Sequence, residues 1–141
     1  MSKPELSRRK FMETTGKIAA AAAVASLGVS EALSSPKEKS MFVHHVYFWM
    51  KPDATKEEKD KLYEGIKTIA KLETVKMSHV GIPADTNRPV IDTSYSFSLL
   101  TVFDDKKGHD IYQEHPVHLK FIEDCKNLWT KVQVYDSIDR K

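Results

Sequence analysis

The sequence predicts an α+β fold built on one antiparallel sheet, with elements in the order β-α-β-β-α-α-β starting near Phe42. Three observations predict it. Four short segments rich in β-branched and aromatic residues, 42–50, 75–80, 94–103 and 132–138, carry the strand pattern. Between them lie stretches with apolar residues at helical spacing. His115-Pro116 divides the second helical region, because proline disfavours helical geometry in the residue before it and suits the first turn of a new helix.

The chain has 141 residues, a length that suits one domain. Its opening stretch is expected to lie outside that domain. Arg8-Arg9 is followed by Lys10-Phe11-Met12, then by an uncharged apolar run from Ile18 to Val29, then by the small residues Ser30, Ala32 and Ser34. Basic, apolar, small is the order of an export signal, and the arginine pair favours the twin-arginine route. Residues 1–32 are therefore expected to be a twin-arginine signal peptide, 33–41 a polar linker and 42–139 the folded domain. This places the protein in the periplasm or otherwise outside the cytoplasm. Once the signal is removed, no membrane association is expected. Residues 1–32 hold five basic and three acidic residues of the chain's 22 and 20, so the remainder carries 17 of each and is formally neutral. A neutral domain without a basic cluster gives no footing for nucleic-acid binding.

The first strand, Phe42 to Met50, has two mainly apolar faces: Phe42, His44, Val46, Phe48 and Met50 on one, Val43, His45, Tyr47 and Trp49 on the other. A half-solvated strand would alternate with polar residues, so both faces are expected to be covered. Thr55 and Glu58 fit a capping box that starts a helix running to about Lys71, with Leu62, Ile66 and Ile69 as its stripe. Val75 to Val80 reads as a second strand, and Gly81 to Asp92 as a loop. In the third strand, Ser94 to Phe103, Tyr95, Phe97, Leu99, Thr101 and Phe103 share a bulky face. Ser94, Ser96 and Ser98 share the small one, expected to leave room for a ligand. A helical region from Asp104-Asp105 carries Ile111 and Tyr112. The helix from Pro116 is expected to reach about Thr130, with His118, Phe121, Ile122, Cys125, Leu128 and Trp129 at its spacing. The last strand runs from Val132 to Ile138. The order is ferredoxin-like, with the second helix broken in two. Helices cover one face of the sheet, and the simplest cover for the other is a second copy, giving a homodimer whose sheets close a barrel.

Three segments resemble the stress-responsive A/B barrel (Dabb) family of the dimeric α+β barrel superfamily. They are His44-His45-Val46-Tyr47-Phe48-Trp49-Met50-Lys51-Pro52, the strand Tyr95 to Phe103, and Tyr112-Gln113-Glu114-His115-Pro116-Val117-His118, similar to the family's Y-x-x-H-P-x-H element. Trp49 departs from the pattern, standing where the family often has lysine. The resemblance implies a dimeric barrel able to hold a small apolar or carbonyl-containing molecule. It also implies a site: Tyr112 and His118 as candidate catalytic residues, with His44, His115, Phe48 and Phe97 as candidate substrate contacts. A plant member of the family is a polyketide cyclase that uses a tyrosine and a histidine at the positions matching Tyr112 and His118 for an intramolecular aldol condensation.

The residues alone allow either role. A histidine on an apolar helical face is partly desolvated, which keeps its imidazole neutral and basic, and a tyrosine hydroxyl can hold an enolate oxygen. Equally, His115 suits a helix cap, and His118 and Tyr112 suit the core. An enzyme of this kind would be a cofactor-independent cyclase or lyase; an oxygenase-like barrel is a further alternative, by fold analogy only. No cofactor or metal is expected, because no histidine or carboxylate set shows a recognised ligand spacing such as H-E-x-x-H. Cys125, the lone cysteine, excludes an intrachain disulfide. His79 and His109 read as surface residues.

Overall fold

The computed structural model describes residues 40–141. The predicted signal peptide, and the linker up to residue 39, lie outside the described residues. The elements are β1 (Phe42–Met50), α1 (Lys56–Ile69), β2 (Met77–Gly81), β3 (Phe97–Phe103), α2 (Lys106–Glu114), α3 (Pro116–Cys125) and β4 (Trp129–Ile138). The sheet order is β2-β3-β1-β4, and every neighbouring pair is antiparallel. This is the ferredoxin-like α+β fold predicted from the element order. Among the described residues no helix is long and apolar enough to cross a membrane.

The alternation in β1 sets the layers. Phe42, His44, Val46, Phe48 and Met50 are buried, while the intervening Val43, His45, Tyr47 and Trp49 are only partly so. The buried face meets the helices, and each large apolar side chain it buries contributes roughly 1.5–3 kcal/mol. Leu62, Ile66 and Ile69 of α1 complete the core with Leu99, Phe103, Tyr112, Phe121 and Cys125. The Thr55 hydroxyl accepts from the Glu58 backbone N–H at 3.2 Å while the Glu58 carboxylate accepts from the Thr55 N–H at 2.8 Å. The predicted capping box is thus closed in both directions. Asp105 caps α2 by accepting from the Gly108 N–H at 2.9 Å.

Several boundaries differ from the sequence reading. β3 begins at Phe97, not Ser94: the Ser96 N–H still donates to the Phe48 carbonyl at 2.8 Å, but the Met50 N–H goes to the Ser96 hydroxyl at 3.0 Å and not to a backbone carbonyl, and the Ser94 hydroxyl accepts from the Trp49 indole at 3.0 Å. Outside the strand, Tyr95 leaves the bulky face and packs against Tyr47 on the opposite side of the sheet, ring centroids 4.9 Å apart. α3 stops at Cys125, and Trp129 belongs to β4. The helical spacing of Leu128 and Trp129 continues by coincidence through the turn at Lys126–Leu128, closed by Leu128 N–H donating to the Cys125 carbonyl at 2.8 Å. β2 starts two residues later than expected, at Met77.

Candidate active site

The break between α2 and α3 builds the site. His115 takes an extended conformation between the two helices, and its Nδ1 accepts from the Val117 N–H at 3.1 Å, capping α3. Tyr112, in the last turn of α2, thereby faces His118, in the first turn of α3, with ring centroids 4.7 Å apart. Phe103 and His44 flank the tyrosine at 5.2 and 6.1 Å. The four groups sit over the helix-covered side of the sheet.

Around them lies a cavity of about 120 Å³ lined by His44, Val46, Phe48, Ile69, Leu99, Tyr112, Gln113, His118, Phe121, Ile122, Trp129, Val132 and Val134. For scale, an engineered cavity of about 150 Å³ holds benzene. Its wall is apolar except for His44, Tyr112, Gln113 and His118, which converge at one end. Ile122, Val132 and Val134 are more than a third exposed and form the open side, toward the edge strand β4.

Two polar atoms at this cavity are buried without a protein partner, the Tyr112 hydroxyl and His118 Nδ1. Burial pushes the tyrosine hydroxyl far above its ordinary range, so it is a donor at any accessible pH. Burial also lowers the His118 pKa; the Gln113 carbonyl acts in the opposite direction from outside hydrogen-bonding geometry, and the imidazole stays neutral near pH 7. His44 is held differently. Its Nδ1 lies 2.6 Å from an Asp136 carboxylate oxygen, directly across the β1–β4 ladder. Desolvation still outweighs that carboxylate and leaves the His44 pKa lowered.

The structure brings together Tyr112, His118, His44 and Phe48, and leaves two candidates outside. His115 does not line the cavity: one ring nitrogen caps α3 and the other lies 3.4 Å from the exposed Glu73 carboxylate. Phe97 leans on Tyr63 of α1, centroids 5.6 Å apart, and lines a separate cleft with Tyr63, His79 and Gly81. Nor do the small residues of the third strand make a chamber floor. Ser94 and Ser96 are spent on bonds to β1, and Ser98 is buried. The chamber therefore lies within one chain, between helices and sheet, with its open side at Ile122, Val132 and Val134. Gln113 and Asp136 were missed by the sequence reading, and so was the burial of His109. The His109 side chain is only 12 % exposed and stacks on Phe42 at 4.3 Å. Its spacing three residues before Tyr112 was the available signal. One ring nitrogen each of His44 and His109 and one Asp136 oxygen also lie within 4.8 Å of one another.

The model of the stress responsive A/B barrel domain, Dabb, matches residues 42–139. The chain belongs to the Dabb family. Its fold recurs in solved structures. A Dabb-family protein from Mesorhizobium loti with a ferredoxin-like fold is 25 % identical, covering 72 % of this chain and 99 % of its own, at a TM-score of 0.59. A dimeric ferredoxin-like protein from Thermobifida fusca is 15 % identical, covering 72 % of this chain and 92 % of its own, at 0.59. A hydroxynitrile lyase from Passiflora edulis is also 15 % identical, covering 73 % of this chain and 96 % of its own, at 0.61. These last two likenesses are of fold. No curated protein matches the chain.

Proposed function

We propose that this Dabb domain binds a small, mostly apolar carbonyl compound in the Tyr112–His118 cavity. The observation that carries this reading is the pair of buried, partnerless polar atoms, the Tyr112 hydroxyl and His118 Nδ1, in a chamber whose wall is apolar apart from these two residues, His44 and Gln113. Each such atom costs about 1–3 kcal/mol when left unsatisfied. A carbonyl oxygen accepting from Tyr112 recovers that cost at the tyrosine, while the hydrocarbon part of the ligand meets Phe48, Phe121 and Trp129. Acetophenone and toluene serve as matched probes in calorimetric titration. Acetophenone is expected to bind more tightly than toluene to the native chain, and Tyr112→Phe to abolish the difference. Equal binding of both probes by the native chain contradicts the reading.

A second reading, cofactor-independent proton transfer, is favoured by the chemistry of the same pair. His118, neutral because it is desolvated, removes a proton α to the carbonyl. The electron pair moves onto the carbonyl oxygen, where the Tyr112 O–H steadies the enolate. The enolate then regains a proton or attacks an electrophile as an aldol step. Deuterium exchange into the acetophenone methyl group in D2O, followed by NMR, reads the first step. Exchange that is no faster with the native chain than with His118→Ala removes this reading and leaves the binding one standing.

The chain is proposed to work as a homodimer joined through the outer sheet face, where Tyr47, Trp49, Tyr95 and Tyr135 form a partly exposed aromatic patch. Light scattering at micromolar concentration should give twice the chain mass. Export by the twin-arginine route rests on Arg8-Arg9 and the apolar run after them; a cytoplasmic location after cell fractionation contradicts it.

A further inference from the structure

The histidines of the site are arranged for something the carbonyl reading does not use. His44 presents its Nδ1 to Asp136 at 2.6 Å. His109 presents its Nδ1 toward Asp110 at 3.5 Å. At His44 the carboxylate fixes the proton on Nδ1 and leaves the lone pair on Nε2; at His109, whose Nδ1 makes no hydrogen bond, the Gln113 N–H at Nε2 calls for the same tautomer. Both Nε2 atoms point at the same group. The Gln113 side-chain nitrogen lies 3.4 Å from His44 Nε2 and 3.1 Å from His109 Nε2, so one amide holds two converging lone pairs. One nitrogen of each histidine and one Asp136 oxygen all lie within 4.8 Å of one another.

We propose that this junction of β1, α2 and β4 is a divalent transition-metal site, with His44 and His109 as ligands through Nε2. The ion takes the place now held by the Gln113 –NH2 group. The Gln113 side chain swings aside to admit the ion and, with its amide turned, offers Oε1 as a third ligand from the new position. Asp136 acts from behind His44, in the carboxylate–histidine–metal relation that orients a ligand imidazole and raises its basicity. Two nitrogens on one tetrahedral ion stand about 3.4 Å apart for bonds near 2.0–2.1 Å, so the two rings, with one nitrogen of each now within 4.8 Å of the other, draw together on binding. Imidazole nitrogens with an amide oxygen suit zinc, cobalt, nickel or copper rather than calcium or magnesium. The inference does not depend on the carbonyl reading, although His44 and Gln113 also line that cavity.

Titration of the untagged full chain with cobalt(II) chloride, followed by visible absorption and calorimetry, tests it. A saturable one-to-one complex with ligand-field bands is expected. His109→Phe keeps a ring against Phe42 but removes the nitrogen, and should weaken binding at least about tenfold. Asp136→Asn, at a residue more than a third exposed, tests the orientation without disturbing the core and should weaken binding about tenfold. Absence of saturable binding by the native chain overturns the proposal. So does native affinity in a folded His109→Phe chain, or, should that variant fail to fold, native affinity in Asp136→Asn.

Discussion

Replacing Tyr112 by phenylalanine separates what this residue does for stability from what it does for binding. The side chain is 1 % exposed and packs against Phe103 and His118. Removing one oxygen keeps those ring contacts and leaves little new space. The hydroxyl has no protein partner, so its removal relieves a buried polar atom whose desolvation costs about 1–3 kcal/mol. Tyr112→Phe should therefore stabilise the protein by about 1–2 kcal/mol, equivalent to about 4–8 °C in Tm per kcal/mol for a domain near one hundred residues. Urea denaturation at fixed protein concentration should show a higher midpoint at unchanged slope. The same variant should lose its preference for acetophenone over toluene. A fall in the midpoint refutes the reasoning, because it means the hydroxyl is already satisfied and is not waiting for a ligand. A residue kept at the expense of stability is what a binding role leads one to expect.

Other expectations follow from the same packing. His118 has a folded-state pKa below its unfolded value near 6.5. The stability it confers is complete above that value and is lost as the pH falls through it toward the folded pKa. His118→Gln should flatten this acid limb of a stability–pH profile, and an unchanged limb contradicts the assignment. Gly65→Ala would put a methyl group 2.8 Å from the Phe121 ring and 3.3 Å from the Cys125 sulfur, where α1 and α3 meet. In an exposed helix that change gains about 1 kcal/mol, but here overpacking should turn it into a net loss of about 1–2 kcal/mol, read as a lower urea midpoint. Burial raises the Cys125 thiol pKa, and the residue is 3 % exposed. It should resist iodoacetamide in the native state and react once urea unfolds the chain; rapid native alkylation would show α3 opening.

Much of this molecule was legible in the sequence, and the failures have physical causes. The alternation in Phe42 to Met50, the Thr55–Glu58 capping box and the break at His115-Pro116 all report local preferences, and local preference decided those elements. The start of β3 was hidden because the Met50 N–H of β1 bonds the Ser96 hydroxyl and not a backbone carbonyl, a pairing that the segment's own residues do not reveal. The end of α3 was hidden because Leu128 and Trp129 keep the helical period past the turn. The meeting of Tyr112 and His118 was foreseeable, as both lie close to one break. That Asp136 faces His44 depends on the β1–β4 register, which no spacing in the chain reveals. The small serines suggested a chamber on the outer side of the sheet. The chamber lies instead on the helix side, where the large side chains of β1 leave a gap beneath Phe121 and Trp129.

The most direct measurement is a crystal structure of the chain soaked with acetophenone. The probe is expected inside the chamber, its carbonyl oxygen within hydrogen-bonding distance of the Tyr112 hydroxyl and its ring against Phe48 and Phe121. Acetophenone bound with its oxygen turned away from Tyr112, or seated only in the cleft beside Tyr63 and Phe97, would contradict it.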